Sequence, residues 1–570
     1  MRPVTLKFGA FALGVIFALA PLRDAGASDV VVKRFAEGSG QNAVGIIEAS
    51  QDTEIDGPQA LTTGENGEIY LLDQVNGRIV SFDPKSPSAP PHVLELPDQL
   101  QPTDLIVRKS DILVWDGSIH TLQAPSGKDS TSFRGLEEVN TRAADDNTVV
   151  SAFAQMGSVA PGDATELLNE NTRAVTSLKA RSRPRQYVAS RSAGSVMVDF
   201  MSENDKSTAR IEVRKQGETD SPPMARLTIK VRDRLGAVEF LEIDRNGRMF
   251  VFAEDIPASG GSAGAFVARF SSSGALEGIY ELPLSDVPLS RRFVTVSSDG
   301  DVYFLRSQSG GAEVLGLGFR ALPNGKTIDV RVGTAAAASH GRVHGLVAAV
   351  RPLTRQRVIE TAFAFEGFQW QVNPGAYGQD PDTVCTGFAG RTRRPFYLRG
   401  KIGQEVRGIP YCWGCQGSFE QIRNKIEHGM LAGNICTHNA PRTDTAGVDC
   451  SAFVSAAWGL ATHFTTAAIP AITNPVTDPL ELRPGDALDK PGSHVMLFLR
   501  FTPGQMVEVM ESSGACNGRV CRNTYPLASL LARGYRPVRF RALENDTSMV
   551  AQVAPAPPKT QQAVKRAHRR

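Results

Sequence analysis

Two architectures follow one another along this chain: an all-β propeller of about six blades over residues 30–340, then a smaller α+β domain over residues 354–543. Three observations predict them. A strand–turn–strand unit recurs in the first half, all seven cysteines fall between Cys385 and Cys521, and helical apolar spacing is scarce until the second half. At 570 residues the chain is too long for a single core, which requires a division of this kind.

The recurring unit is a turn glycine, a polar residue and an apolar strand. Glu65-Asn66-Gly67-Glu68-Ile69-Tyr70, Asp244 to Phe250 around Gly247, and Ser298 to Tyr303 around Gly300 are the clear copies. Weaker ones stand at Ser110 to Trp115, Ala193 to Val198 and Asp146 to Val150. Gly247 and Gly300 are 53 residues apart, and the interval from Gly67 to Gly247 holds about four units of 45, which gives six in all. Short-strand repeats of 40 to 50 residues predict blades that bury their faces only against neighbouring blades. The run Ala335 to Ala338 reads as the last part of this region or as a linker.

The second half opens with a helix over Thr354 to Phe368, whose Val358, Ala362 and Phe365 share an apolar side. Beyond residue 545 the chain is polar, proline-bearing and finally basic, reading as a disordered tail over 545–570. A net charge of +2 with 41% hydrophobic residues makes no case for a nucleic-acid partner. At the other end, Arg2 and Lys7 precede an apolar run from Phe8 to Ala20, and Ala25-Gly26-Ala27 supplies small residues for cleavage, so residues 1–27 read as a signal peptide. That run is short of the roughly 20 residues that span a bilayer, so the sequence predicts an exported protein, periplasmic or secreted, with no transmembrane anchor.

Export gives the cysteines meaning, because oxidising compartments let thiols pair. An odd count leaves one thiol over. If it is Cys450, the six others can form three disulfides in any of 15 pairings, with Cys516 and Cys521 placed for a local bridge. Zinc held by Cys412, Cys415, Cys436 and His438 is the competing use of three of them.

Cys450 stands where a loop becomes an apolar helix. In Gly447-Val448-Asp449-Cys450-Ser451-Ala452-Phe453-Val454, the positions Phe453, Val454, Ala457 and Trp458 share one face, which puts Cys450 in the first turn. There the unpaired N–H groups and the helix dipole favour thiolate, the nucleophilic form. A thiol nucleophile needs a base and a group that orients the base. His494 opens the apolar strand Val495 to Leu499; a turn at Thr502 to Gln505 follows; and Met506 to Ser512 returns, bringing Glu511 beside His494 with Glu508 on the opposite face.

Two family resemblances rest on these residues. Gly57 through Asp83 resembles a blade of the NHL and TolB-like propellers, which implies binding or scaffolding, with an envelope protein as the partner class. Gly408-Ile409-Pro410-Tyr411, Trp413-Gly414, Asp449-Cys450-Ser451, Pro484-Gly485-Asp486 and Ser493-His494-Val495 together resemble the successive motifs of the NlpC-type cell-wall peptidases, papain-like cysteine hydrolases of peptidoglycan stem peptides. That resemblance implies Cys450 as nucleophile, His494 as general base and acid, Glu511 as third member, and Tyr411, Trp413, Asp449 and Ser451 around the substrate, with Tyr411 and Asp449 meeting its free amine. It implies no metal and no cofactor. The chain differs from the family pattern at Cys415 and Ala452, at the acidic third member, and in the roughly 35 residues between Gly414 and Cys450. Acyl transfer to an amine on the same trio, and a non-enzymatic propeller scaffold with an inactive second domain, are the competing expectations.

Overall fold

The computed structural model describes residues 28–543 apart from 48–53, 98–99, 101, 109–110, 117–118, 124–132, 134, 139–184, 191–193, 202–204, 216–220, 259–262, 285–291, 331–352, 379–393, 437–443 and 503. The signal peptide, the repeat at Asp146 to Val150, the run Ala335 to Ala338, Cys385, His438 and the basic tail lie outside the described residues.

The glycine of each clear repeat adopts positive φ, as at Gly67 (+83°) and Gly300 (+88°), and turns the chain between two antiparallel strands. Five sheets result among the described residues, against the six units expected. Four begin with the pairs Ala60–Thr63 and Ile69–Asp73, Asp104–Arg108 and Asp111–Trp115, Arg185–Ser190 and Gly194–Met201, and Arg234–Ile243 and Met249–Ile256. Each goes on to two further antiparallel strands, and the last of the four adds Phe319–Ala321 at its edge. The fifth holds Val294–Val296, Val302–Gln308 and Gly311–Gly316. Val30–Glu37 completes it from the start of the described chain, pairing antiparallel with Gly311–Gly316. The first strands of the first and second, the third and fourth, and the fourth and fifth sheets lie side by side, and the last sheet meets the first, where Leu61 N donates to Arg292 O at 2.7 Å. This arrangement is propeller-like. The closing strand has no repeat signature and escapes sequence reading.

Charged groups sit on the inner strands. Arg292 holds Asp104 through two hydrogen bonds of 2.9 Å, and Glu239 is buried nearby. Burial pushes the Glu239 carboxyl up to about 8, against the partial relief of the Arg292 charge.

The second half is built on a six-stranded antiparallel sheet in the order Thr473–Pro475, Arg536–Phe540, Ala487–Lys490, His494–Phe501, Val507–Ser513, Arg519–Tyr525. Val495, Leu497, Leu499 and Met510 face the helices Arg355–Gly367 and Cys450–Ala457 in one apolar core, where Phe365 and Phe453 meet at 5.5 Å. Thr354 caps the first of these helices, accepting from Arg357 N. The Pro-Gly-Asp motif is structural: Asp486 is buried and accepts from Arg355, from Arg539 and from the Arg483 N–H, tying helix to sheet.

The opposite face of that sheet packs on the first half. Met496, Phe498, Val507 and Val509 share a core with Phe250, Phe252 and Val267. The short helix Leu527–Ala532 lies against the strands Arg234–Ile243, Met249–Ile256 and Gly264–Phe270, and Glu254 accepts from Ala528 N at 2.7 Å and from Ala237 N at 2.9 Å. Arg234 grips Asp478 with bonds of 2.6 and 2.7 Å. The Glu254 carboxyl is raised to about 7, burial outweighing the N–H groups aimed at it. No helix among the described residues is long and apolar enough to cross a membrane.

Glu239 and Glu254 bind protons more tightly folded than unfolded. Between the ordinary glutamate value of 4.5 and the raised values the folded chain therefore carries the extra protons, and its stability falls as pH rises. The urea midpoint is expected to drop between about pH 4.5 and about pH 8, and Glu239→Gln to remove part of that drop. A midpoint that rises across this window contradicts the assignment.

Candidate active site

Asp449 sets the start of the nucleophile helix. Its Oδ1 accepts from Ala452 N at 2.7 Å and from the Ser451 hydroxyl at 2.9 Å, and Oδ2 accepts from Gly414 N at 3.1 Å. Cys450 is thereby the first residue of the helix Cys450–Ala457, as expected, with Phe453, Val454, Ala457 and Trp458 buried. Gly447 lets the preceding loop come close. A Cβ there would stand 2.5 Å from Pro410 O and 2.7 Å from Cys412 Cβ, at a φ of +150°. Ser512, on the strand of Glu511, donates to Val448 O at 2.9 Å and pins the same loop to the sheet.

His494 Nε2 meets Glu511 Oε2 at 2.7 Å, and both side chains are buried. With Nε2 committed to the carboxylate, Nδ1 is the nitrogen left for the hydrogen bond to Cys450. Burial alone would lower the His494 pKa; the negative charge of Cys450, its hydrogen bond and then Glu511 outweigh burial and hold the imidazole well above its ordinary value of 6.5. Burial likewise pushes Glu511 up, but His494, Asn523 and Tyr525 bring it below its ordinary value. Asn523 Nδ2 donates to Glu511 Oε1 at 2.7 Å and Tyr525 OH at 2.6 Å. Carboxylate, imidazole and thiol thus stand in one hydrogen-bonded series, the order in which a base and its orienting group can serve a thiol nucleophile.

Asn523 and Tyr525 were missed in the sequence, although a signal existed. The strand Arg519–Tyr525 pairs Glu511 with Cys521 and Val509 with Asn523, so alternation from the Cys516–Cys521 bridge points both side chains at Glu511. His463 was missed as well: its Nε2 lies 2.7 Å from Ser451 Oγ and 3.7 Å from Asp449 Oδ1, and no spacing rule announces it. Glu508 faces away, bonded to Arg500 at 2.5 Å.

Tyr411 and Trp413 border the nucleophile loop from the opposite side. Cys412 N donates to Val448 O at 3.0 Å, and Tyr411 packs with Phe396 and Ile435, against Trp413 and Ile47. Ser451 is buried, its hydroxyl held between Asp449 and His463. Cys412 is bridged to Cys415 and Cys516 to Cys521, with Cα separations of 5.3 and 5.6 Å, and Cys450 keeps its thiol. Cys436 is also disulfide-bonded. These bridges fit an oxidising, exported environment. They also occupy the three thiols that the zinc alternative needs.

No protein-family model and no curated protein matches the chain. Among solved structures, a streptogramin B lyase aligns at 14% identity over 53% of this chain and 76% of its own, with a TM-score of 0.17. Hydrazine synthase of Kuenenia stuttgartiensis aligns at 11% over 45% and 75%, TM-score 0.24, and virginiamycin B lyase of Staphylococcus aureus at 10% over 47% and 71%, TM-score 0.15. At these scores none of the three bears on fold or activity.

Glu511→Gln removes the charge that helps hold His494 protonated. An imidazole NMR titration, with the His494 signal identified by difference against His494→Ala, is expected to show a clearly lower pKa in Glu511→Gln. An unmoved titration would mean that the carboxylate does not govern the imidazole.

Proposed function

We propose that the protein is an exported cysteine hydrolase of the NlpC type, cleaving amide bonds in peptidoglycan stem peptides, with the first half forming a six-bladed propeller over residues 30–340. The buried hydrogen-bonded order Glu511, His494, Cys450 carries the reading, because burying three coupled charges is costly unless they act together. The motif resemblance supports the substrate class.

In the reaction, Cys450 Sγ attacks the amide carbonyl, forming the C–S bond while the oxygen takes the charge. The backbone N–H of Cys450, at the positive end of its helix, donates to that oxygen, an effect worth about 3 to 4 kcal/mol per donor in comparable sites. The proton on His494 Nδ1 passes to the leaving nitrogen, the C–N bond breaks and a thioester remains. Neutral His494 then takes a proton from water, whose oxygen attacks the thioester, and the carboxylic acid leaves as the thiolate–imidazolium pair re-forms. Glu511 keeps the imidazole in one orientation throughout, and Asn523 and Tyr525 fix Glu511.

One observation favours a second reading, an inactive domain beside a working propeller: Cys450 has 0% exposure. Iodoacetamide at neutral pH separates the two, since a poised thiolate that substrate reaches is alkylated quickly and a sealed thiol is not.

Cys450→Ala is expected to abolish release of fragments from stem peptides and from intact cell wall, read by mass spectrometry beside the wild type. Because the nucleophile supplies nearly all of the acceleration, the loss should be at least about 10³-fold. Fragment release that survives in Cys450→Ala ends the hydrolase reading.

A further inference from the structure

We infer that His463 is a positioning residue for the nucleophile: through the buried Ser451 hydroxyl it fixes Asp449, the carboxylate that starts the Cys450 helix. The inference rests on the hydrolase reading for what the positioned thiol does, and on local geometry for the positioning itself.

The chain brings His463 back along the helix it has just left. Gly459, at a φ of +66°, turns the backbone after Trp458, with Gly459 N donating to Ala456 O and Leu460 N to Ser455 O at 3.0 Å each. Ser455 Oγ then accepts from Phe464 N at 3.1 Å, fastening the returning segment to the helix. Ser451 lies one turn before Ser455 on the same face, and there the imidazole arrives, its Nε2 standing 2.7 Å from Ser451 Oγ. Phe464 packs at the margin of the core that holds Phe453 and Val454, and Ile469 is buried in that core. His463 is thus held by anchors on its C-terminal side and by the helix itself.

The count of hydrogens fixes the direction of the bonds. Ser451 is buried and its hydroxyl has one hydrogen, which goes to Asp449 Oδ1 at 2.9 Å, because an ionised carboxylate only accepts. The bond to His463 must then take its hydrogen from the imidazole, so Nε2 is protonated and donates. The same nitrogen lies 3.7 Å from Asp449 Oδ1. An N–H, a hydroxyl and a carboxylate therefore stand in one series that ends at the helix cap.

What the series controls is the placement of Cys450. Asp449 Oδ1 also accepts from Ala452 N at 2.7 Å, and Oδ2 accepts from Gly414 N at 3.1 Å. The cap decides how the first helical residue, Cys450, is presented to His494. A second demand is electrostatic: a carboxylate adjoining Cys450 opposes the thiolate, and each donor aimed at that carboxylate weakens the opposition. A hydroxyl whose oxygen accepts from an N–H is the stronger donor for it. His463 therefore reinforces both the cap and the screening of its charge.

The test is site-resolved hydrogen exchange at the Ala452 amide in the free full-length protein, comparing His463→Leu, His463→Asn and His463→Gln with the wild type. His463→Gln sets an amide N–H about where Nε2 stands, His463→Asn stops one bond short, and His463→Leu fills the space with no donor. Exchange is expected to be at least about fivefold faster in His463→Leu and His463→Asn, and within about twofold of the wild type in His463→Gln. In a Ser451→Ala background, His463→Leu is expected to add less than about twofold, since the path through the hydroxyl is already cut. A packing role alone makes His463→Leu as good as His463→Gln; that result, or a full effect of His463→Leu without the Ser451 hydroxyl, overturns the proposal. Cooperative melting of each variant checks that it is folded. Turnover of stem peptides is scored separately, with kcat expected to fall at least about fivefold in His463→Leu and to return in His463→Gln while KM stays within about twofold. Wild-type turnover whose kcat ignores this pattern overturns the role toward the nucleophile. Absence of wild-type turnover removes the hydrolase reading, and the exchange pattern still decides whether His463 holds the cap.

Discussion

A sheet buried on both faces is the constraint from which most of this molecule follows. Strands with helices on one side and a second β assembly on the other have no solvent-facing positions to spend on charge, so His494–Phe501 and Val507–Ser513 are buried along almost their whole lengths. Alternation still operates, but it sorts residues between two cores rather than between core and water. Val495, Leu497 and Met510 go to the helices, and Met496, Phe498 and Val509 go to the propeller-like half. His494 and Glu511 have the parity of the second set. The candidate catalytic pair is therefore turned toward the first half of the chain by the period of the strand itself.

That parity accounts for the density of buried polar groups along the seam. A carboxylate taken out of water must find donors or give up its charge. Glu511 finds His494, Asn523 and Tyr525 and stays below its ordinary pKa, whereas Glu254 meets only backbone N–H groups and is raised to about 7. On the other parity Glu508 is held by Arg500 and Arg522. Similar strands thus carry carboxylates of opposite electrostatic character, decided by which side chains each face brings within reach.

Legibility in the sequence followed the range of the interaction. Local signals were sufficient for the glycine turns, for the helix start at Cys450 and for the hairpin that returns Glu511 to His494, because each depends on residues within about twenty positions. Pairing of Val30–Glu37 with Gly311–Gly316 was invisible: the strand bears no repeat mark, and its partner lies almost the whole propeller-like region away. His463 was invisible for a related reason, since its contact with Ser451 depends on how the chain folds back after the helix. Asp449 shows a different limit. Its identity beside a cysteine suggested a role toward substrate, but the same carboxylate is what a helix N-terminus recruits, and sequence alone does not separate the two uses.

The division into a binding half and a chemical half, natural from composition, fits the packing poorly. Gln74 and Asp56 of the first half reach the turn from Ser513 to Gly518, which also holds Cys516 and leads into the strand carrying Asn523 and Tyr525. Displacing the first half would expose Met496, Phe498, Val507 and Val509 to water and strip the supports from that turn, so a separated second half would keep the core beneath its helices but lose the one on the other face of its sheet, and with it the geometry around Glu511. A propeller fold by itself names no activity. Here its consequence is physical: it supplies the second wall of a sheet that could not otherwise be apolar on both sides, and with that wall come two acids, Glu54 and Asp56, whose charges reach the surroundings of His494 and Glu511.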